Sequence, residues 1–324
     1  MKILIQKVLS HRKALMQVFR VLIIASVLVG IAFALRSAWL ELEKSEINWS
    51  EVRPIWLLLS GMAYAIGMLV PAIYWHQLLR LSGNDPGIGN TIRAFYLSQL
   101  GKYVPGKAMV VVIRTNEIGK SGVNPAFAAT TVFIETLTWM SVGASLGAIV
   151  LAVALRDQVW LIAIAVAIAI VAGIPSLGPV MRKIVAKLKV NKLDHEIETR
   201  LRRLSLGFTA CGYLFLIVGW LLMAASLYFV LQALPDPRPA WEHFPLVLAG
   251  VSLAVVCGFL SLIPGGLGVR ELVMLPILGP IVGPVSAIVA VVLLRLVWLV
   301  AELACAAVLR LIKILTIKRT PVLS

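Results

Sequence analysis

The sequence is poor in charge, cysteine and histidine, and each shortage removes a class of function. Only 14% of its 324 residues are Asp, Glu, Lys or Arg, well below the roughly 25% of a soluble domain, so the solvent for most of the chain is lipid. Cys211, Cys257 and Cys305 lie in apolar stretches at no pairing interval. They read as small packing residues rather than a disulfide framework or a thiolate metal site. His11, His76, His195 and His243 have no ligand spacing, which leaves metal catalysis without support. No cofactor is expected. No polar stretch is long enough for a sizeable soluble domain, so the chain is not expected to be an enzyme.

What fills the chain is apolar residue, 60% of the total, with a mean hydropathy of +0.96. Windows of about 20 apolar residues, enough for one bilayer crossing, fall at 21–40, 55–79, 125–155, 159–180, 207–234 and 285–309. Two more stretches, 91–118 and 246–278, are apolar enough to enter the bilayer but are cut by Pro105-Gly106 and by Pro264-Gly265-Gly266 with Gly268. Proline removes a helical donor, and irregular backbone at membrane depth must be buried in protein or line a cavity. The expected fold is all-α and integral to the membrane, with about six full spans and two re-entrant helical hairpins.

Lys and Arg outnumber Asp and Glu 30 to 15. In a soluble protein this excess would suggest nucleic acid; here the basic residues flank apolar spans, where they set orientation and meet anionic headgroups. No nucleic-acid partner is expected. The N-terminal segment carries Lys2, Lys7, Arg12, Lys13 and Arg20 without an acid, and reads as the flank of a retained anchor rather than a cleaved signal. Lysines and arginines place the 80–120 loops, the cluster from Arg182 to Arg203 and the tail Lys313 to Arg319 inside. The loops near Glu41 to Arg53 and Pro235 to His243 fall outside. Both termini are then cytoplasmic in a cell (inner) membrane. Apolar residues from Met181 to Leu204 recur at helical spacing opposite the charges, the pattern of a helix lying in the interface.

One membrane domain is expected, divisible into an anchor and outer loop (1–54), a first repeat (55–155), a connecting span and basic loop (156–206), a second repeat (207–311) and a tail (312–324). Each repeat reads as a full span, a broken hairpin and a span with buried charge. The loop charges make the first hairpin dip from the cytoplasm and the second from outside. Such inverted repeats with broken helices are an architecture of secondary transporters.

Glu135, Arg295 and Glu302 lie within spans, where an unpaired charge costs roughly 2.5 to 3.5 kcal/mol on insertion scales. Thr131, Glu135 and Thr138 share one helix face, giving a polar stripe toward the bundle interior. Glu135 is expected to pair with Arg270 or Arg295. Structural ion pairing and a working role are equally open for these charges. Lys107 and Arg270-Glu271 follow the breaks, and Glu271 suits a helix N-terminus. Gly101 to Lys107 fits the first part of a phosphate-binding loop, but Ala108 stands where a Ser or Thr is needed, so no nucleotide is expected. Gly143 and Gly147 form a GxxxG pair, read as a close helix contact.

The stretch Tyr96-Leu-Ser-Gln-Leu-Gly-Lys-Tyr-Val-Pro-Gly-Lys107, with Arg114 and Glu135, and then Ile263-Pro-Gly-Gly-Leu-Gly-Val-Arg-Glu271 with Arg295, resembles the transmembrane domain of lysylphosphatidylglycerol synthases. In bacterial multiple peptide resistance factors this domain moves the aminoacylated lipid across the membrane. The resemblance covers nearly the whole chain. It implies a lipid flippase-like protein, with Lys107, Arg114, Glu135, Arg270, Glu271 and Arg295 matching the family's polar motifs. These residues leave no room for the synthase domain, so the lipid would be made elsewhere.

The expected function is therefore a lipid transporter that shields a polar headgroup, of a phospholipid or glycolipid, between the two hairpins. Lys102, Tyr103, Lys107, Arg114, Glu135, Arg270, Glu271, Arg295 and Glu302 are the candidate cavity residues. The cations Lys107, Arg114, Arg270 and Arg295 would meet phosphate. The carboxylates Glu135, Glu271 and Glu302 would meet cationic groups or couple protons. The alternatives are a membrane enzyme using an acid-base pair such as Glu135 and Glu271, and a scaffold for a separate lipid-modifying synthase or glycosyltransferase.

Overall fold

The computed structural model describes residues 47–81, 85–104, 108–154, 206–235, 238–261 and 268–319, with 83, 263, 266 and scattered positions in 25–43 and 160–170. Eight α-helices occur in this set: α1 (Pro54–Arg80), α2 (Ile88–Gln99), α3 (Ala108–Gly119), α4 (Pro125–Ala154), α5 (Leu206–Ala233), α6 (Phe244–Leu260), α7 (Val269–Val282) and α8 (Pro284–Arg319). A further apolar helix runs over Leu28–Ser37. No strand is present among the described residues.

Local chemistry sets the helix ends. Asn124 accepts from the Ala126 backbone N–H at 2.8 Å and caps α4, whose first residue is Pro125. Gly283, at φ +82°, closes α7 in a left-handed conformation that a residue with a Cβ adopts poorly, and its N–H donates to the Gly279 carbonyl.

Five helices are long and apolar enough to cross a membrane: Pro54–Arg80, Pro125–Ala154, Gly207–Ala233, Trp241–Leu260 and Pro284–Leu315. Four coincide with spans expected from sequence. The fifth differs from expectation, because the sequence of the 246–278 stretch predicts two half-helices. Its first arm, with the turn Trp241–His243 before it, is 20 residues long, about 30 Å of helix and enough for a crossing by itself. The expected span at 21–40 is described in part, with the apolar helix Leu28–Ser37 inside it, and that at 159–180 lies largely outside the described residues. So do the basic helix over 181–204, the N-terminal basic segment, and the break residues Pro105, Gly106, Lys107, Pro264 and Gly265.

The outer surface is apolar and the interior holds the polar groups, the reverse of a soluble bundle. Leu58, Ile149, Leu272 and Val300 are each more than 60% exposed, while Arg114, Glu135 and Glu302 are at most 3% exposed. At the centre α1 packs along α5. Their backbones meet at two glycines: a Cβ on Gly67 would lie 3.3 Å from the Gly219 carbonyl oxygen, and one on Gly219 would lie 3.1 Å from that of Gly67. The GxxxG pair has the same use. A Cβ on Gly143 would enter the Trp220 ring, and one on Gly147 would lie 2.6 Å from Leu253 on α6.

Twice along the chain a full-length helix is followed by helix, break, helix and then a second full-length helix. α2 and α3 pack side by side across the first break, as α6 and α7 do across the second. Gly101 permits the first return: a Cβ there would lie 2.8 Å from the Val110 backbone nitrogen at the start of α3. The two broken segments attach at opposite ends of α1. The first follows the Arg80 end, where His76 and Thr91 are hydrogen-bonded at 3.0 Å. The second begins near the Pro54 end, because Arg53 N–H donates to the Ala233 carbonyl at 2.9 Å and Trp241 packs edge-on against Tyr228. Each broken segment also packs on the other half: α6 against α4, and α2 against α8.

Candidate functional site

A cavity of about 370 Å³ lies where the two broken segments come together. One side is built by Phe95 and Gln99 of α2, Lys102 of the turn Leu100–Tyr103, and Val110, Val111 and Arg114 of α3. Val255, Gly258 and Phe259 of α6, with Gly266 and Arg270 after the second break, form the other. Glu135 and Trp139 of α4, Tyr64 and Pro71 of α1, Met223 of α5 and Trp298 of α8 complete the wall. Ala108 and Phe133 also line it and are exposed, so the rim is apolar while the charged groups lie within.

The charges are arranged in pairs. Arg114 donates from Nη1 to Glu135 and from Nε to Ser98 Oγ at 2.9 Å. Its guanidinium lies 4.1 Å from the Phe95 ring centroid and 5.0 Å from that of Trp75, a cation–π sandwich. Trp75 is itself held by its Nε1–H donating to Thr131 Oγ1 at 3.1 Å. The expected polar stripe on α4 is present, with Thr131, Glu135 and Thr138 all buried. The expected partner of Glu135 is not: Arg114 takes it, rather than Arg270 or Arg295. Both halves of this pair come from adjacent elements, α3 and α4, so the short loop between them brings the charges together.

Arg295 instead pairs with Glu271, again joining a broken segment to the helix that follows it. In the first half the cation is on the broken segment and the carboxylate on the span; in the second half the signs are exchanged. Glu302, two turns along α8 from Arg295, reaches across to the first break. Its Oε1 accepts from Lys102 and from the Tyr64 hydroxyl, and its Oε2 from the Tyr103 hydroxyl at 3.2 Å. Lys102 also donates to the Tyr64 hydroxyl at 3.4 Å.

Arg270 is different. Among the described residues it has no carboxylate partner, and its Nε is buried without a hydrogen bond. It is held by shape: its guanidinium lies 5.5 Å from the Trp298 ring centroid. A Cβ on Gly266, at φ +68°, would come within 3.1 Å of its Nε, and one on Gly258 within 3.4 Å. The Trp298 platform is fixed in turn. Its Nε1–H donates to Ser226 Oγ at 2.9 Å, Ser226 is hydrogen-bonded to Ser60 at 2.9 Å, and its face stacks on Tyr64 at 4.7 Å.

Of the residues expected from sequence, Lys102, Arg114, Glu135, Gly266 and Arg270 line the cavity. Tyr103 and Glu302 are tied to it through Lys102 and Tyr64 rather than forming its wall, Glu271 and Arg295 pair with each other and do not line it, and Gly268 is the residue before α7, at φ +77°. Lys107, Pro105, Gly106, Pro264 and Gly265 lie outside the described residues. Sequence reasoning missed Tyr64, Trp75, Phe95 and Trp298. Tyrosine and tryptophan deep in apolar spans were the available signal, since their O–H and N–H need partners there.

Comparison of the sequence with curated proteins returns no match. Residues 17–305 match the model of the lysylphosphatidylglycerol synthase TM region. This span includes both broken segments and every charge of the cavity, and the chain belongs to that family of membrane domains.

Proposed function

We propose that the protein moves a polar lipid headgroup between leaflets, carrying it through the cavity while the acyl chains remain in lipid beside the apolar rim. The observation that carries this reading is the cavity itself: broken segments from both halves bound it, Arg114 and Glu135 are buried in its wall with Lys102 and Arg270 half-buried, and its exposed rim residues, Ala108 and Phe133, are apolar. A headgroup needs the polar interior and the chains need the rim.

On this reading the broken segments are re-entrant hairpins and the two halves an inverted repeat, the first hairpin entering from the cytoplasm and the second from outside. Their attachment at opposite ends of α1 and the loop charges both support it. The protein then lies in the cell membrane with its termini in the cytoplasm. Arg270 meets the headgroup phosphate, since it is the cavity cation without a carboxylate among the described residues. Arg114, Lys102 and Arg295 hold the frame through their partners.

The test is reconstitution into phosphatidylcholine vesicles containing trace acyl-labelled phospholipids, with the label in the outer leaflet quenched chemically. Protein-dependent loss of the protected inner pool is expected. No movement of any phospholipid or glycolipid, together with a lipid-modifying enzyme that co-purifies in fixed ratio, would replace transport by a scaffolding role.

A further inference from the structure

The charges of the site can be added. Lys102 cancels Glu302, Arg114 cancels Glu135 and Arg295 cancels Glu271, which among the described residues leaves Arg270. Among the described residues Glu302 is the acid within electrostatic reach of Arg270, but both its oxygens already accept from Tyr64, Lys102 and Tyr103. The sequence of the two breaks adds no acid, only Lys107. A half-buried site of net positive charge favours an occupant of the opposite sign, because Coulomb energies rise as the local dielectric falls.

Building on the transport reading above, we infer that the headgroup this cavity takes is net anionic, with one phosphodiester and no cationic substituent. Its phosphate sits on Arg270, against the Trp298 platform and the Gly258 and Gly266 backbone. The planar fork of arginine suits two phosphate oxygens, and the two glycines let the backbone close on its buried Nε, which holds the guanidinium in place beside the cavity. A headgroup esterified with lysine would bring two further ammonium charges, for a net charge of the same sign as the site. The carboxylates that could receive them, Glu135 and Glu302, are already occupied. The family's name would suggest the aminoacylated lipid; the charge balance of this chain selects its unmodified anionic precursor class.

The experiment measures binding and movement separately. Purified full-length protein is titrated with phosphatidylglycerol, phosphatidylethanolamine and lysylphosphatidylglycerol, and bound lipid is counted by native mass spectrometry. The same lipids, acyl-labelled, are used in the vesicle assay. Phosphatidylglycerol is expected to bind at least about tenfold tighter than the lysyl lipid, and Arg270→Gln to erase that preference. Arg270→Lys, which keeps charge but not the fork, is expected to weaken phosphatidylglycerol binding while keeping the preference. It serves as the readout if the Gln variant does not fold. Lysyl-lipid binding equal to or tighter than phosphatidylglycerol, or a preference unchanged in Arg270→Gln, overturns the inference even if lipids move. Arg270-dependent binding of phosphatidylglycerol with no movement of any lipid upholds the inference and overturns transport.

Discussion

Glu135→Gln separates a structural ion pair from a working carboxylate. The substitution leaves Arg114 charged at 2% exposure, and removing one member of a buried pair costs about 3 to 5 kcal/mol because the other charge is stranded. Two features place the loss near the lower end. Arg114 keeps its bond to Ser98 and the ring faces of Phe95 and Trp75, and the glutamine carbonyl can still accept a hydrogen bond. A loss of about 3 kcal/mol is expected, read by reversible unfolding in mixed detergent micelles with far-UV circular dichroism. Arg114→Met costs a similar amount. The double variant should cost less than the two losses added, by about 2 kcal/mol, because it leaves no charge stranded. Lipid movement per folded molecule of Glu135→Gln should stay within about twofold of the parent. Full stability with movement abolished would refute the reasoning and make Glu135 a working group.

Other substitutions follow from the same contacts. Gly143→Ala drives a methyl into the Trp220 ring, which is fully buried, stacked on Trp139 and bonded to its carbonyl; a loss of about 1 to 3 kcal/mol in the same unfolding assay is expected. Glu302→Gln removes the charged acceptor shared by Lys102, Tyr64 and Tyr103. Lys102 is 19% exposed and can turn outward, so the cost is about 1 to 3 kcal/mol, with faster amide exchange over residues 100–103 as the local sign. Trp298→Leu takes away the surface under Arg270 and the stack on Tyr64. It should weaken anionic lipid binding and cost about 3 kcal/mol or more of stability, whereas Trp298→Phe should keep most of both.

Much of the fold is legible in the sequence because lipid imposes a simple rule: about 20 apolar residues make a span. Pro54–Arg80, Pro125–Ala154, Gly207–Ala233 and Pro284–Leu315 follow it. The breaks are legible from Pro and Gly. The length of the α6 segment is not, since the turn Trp241–His243 extends it to 20 residues across Glu242 and His243, and hydropathy alone does not say whether a segment crosses or turns back. The buried charges can be found from sequence because a charge in a span is rare; their pairing cannot. Glu135 could reach any of the five candidate cations by sign, and the choice of Arg114 depends on how α3 returns against α4 beyond Gly101. That Arg270 stands apart depends on Glu302 reaching the first break instead of the second, a contact 200 residues apart in the chain.

The measurement that bears most directly on the central claim is the sidedness of the two broken segments, since the cavity can pass a headgroup between leaflets only if they enter from opposite faces. With Cys211, Cys257 and Cys305 replaced, single cysteines at Ser121 and Glu242 are labelled in intact cells and in inverted vesicles with a membrane-impermeant maleimide. The account predicts that Ser121→Cys reacts only from the cytoplasmic side and Glu242→Cys only from the outer side. Labelling of both from the same side would contradict it.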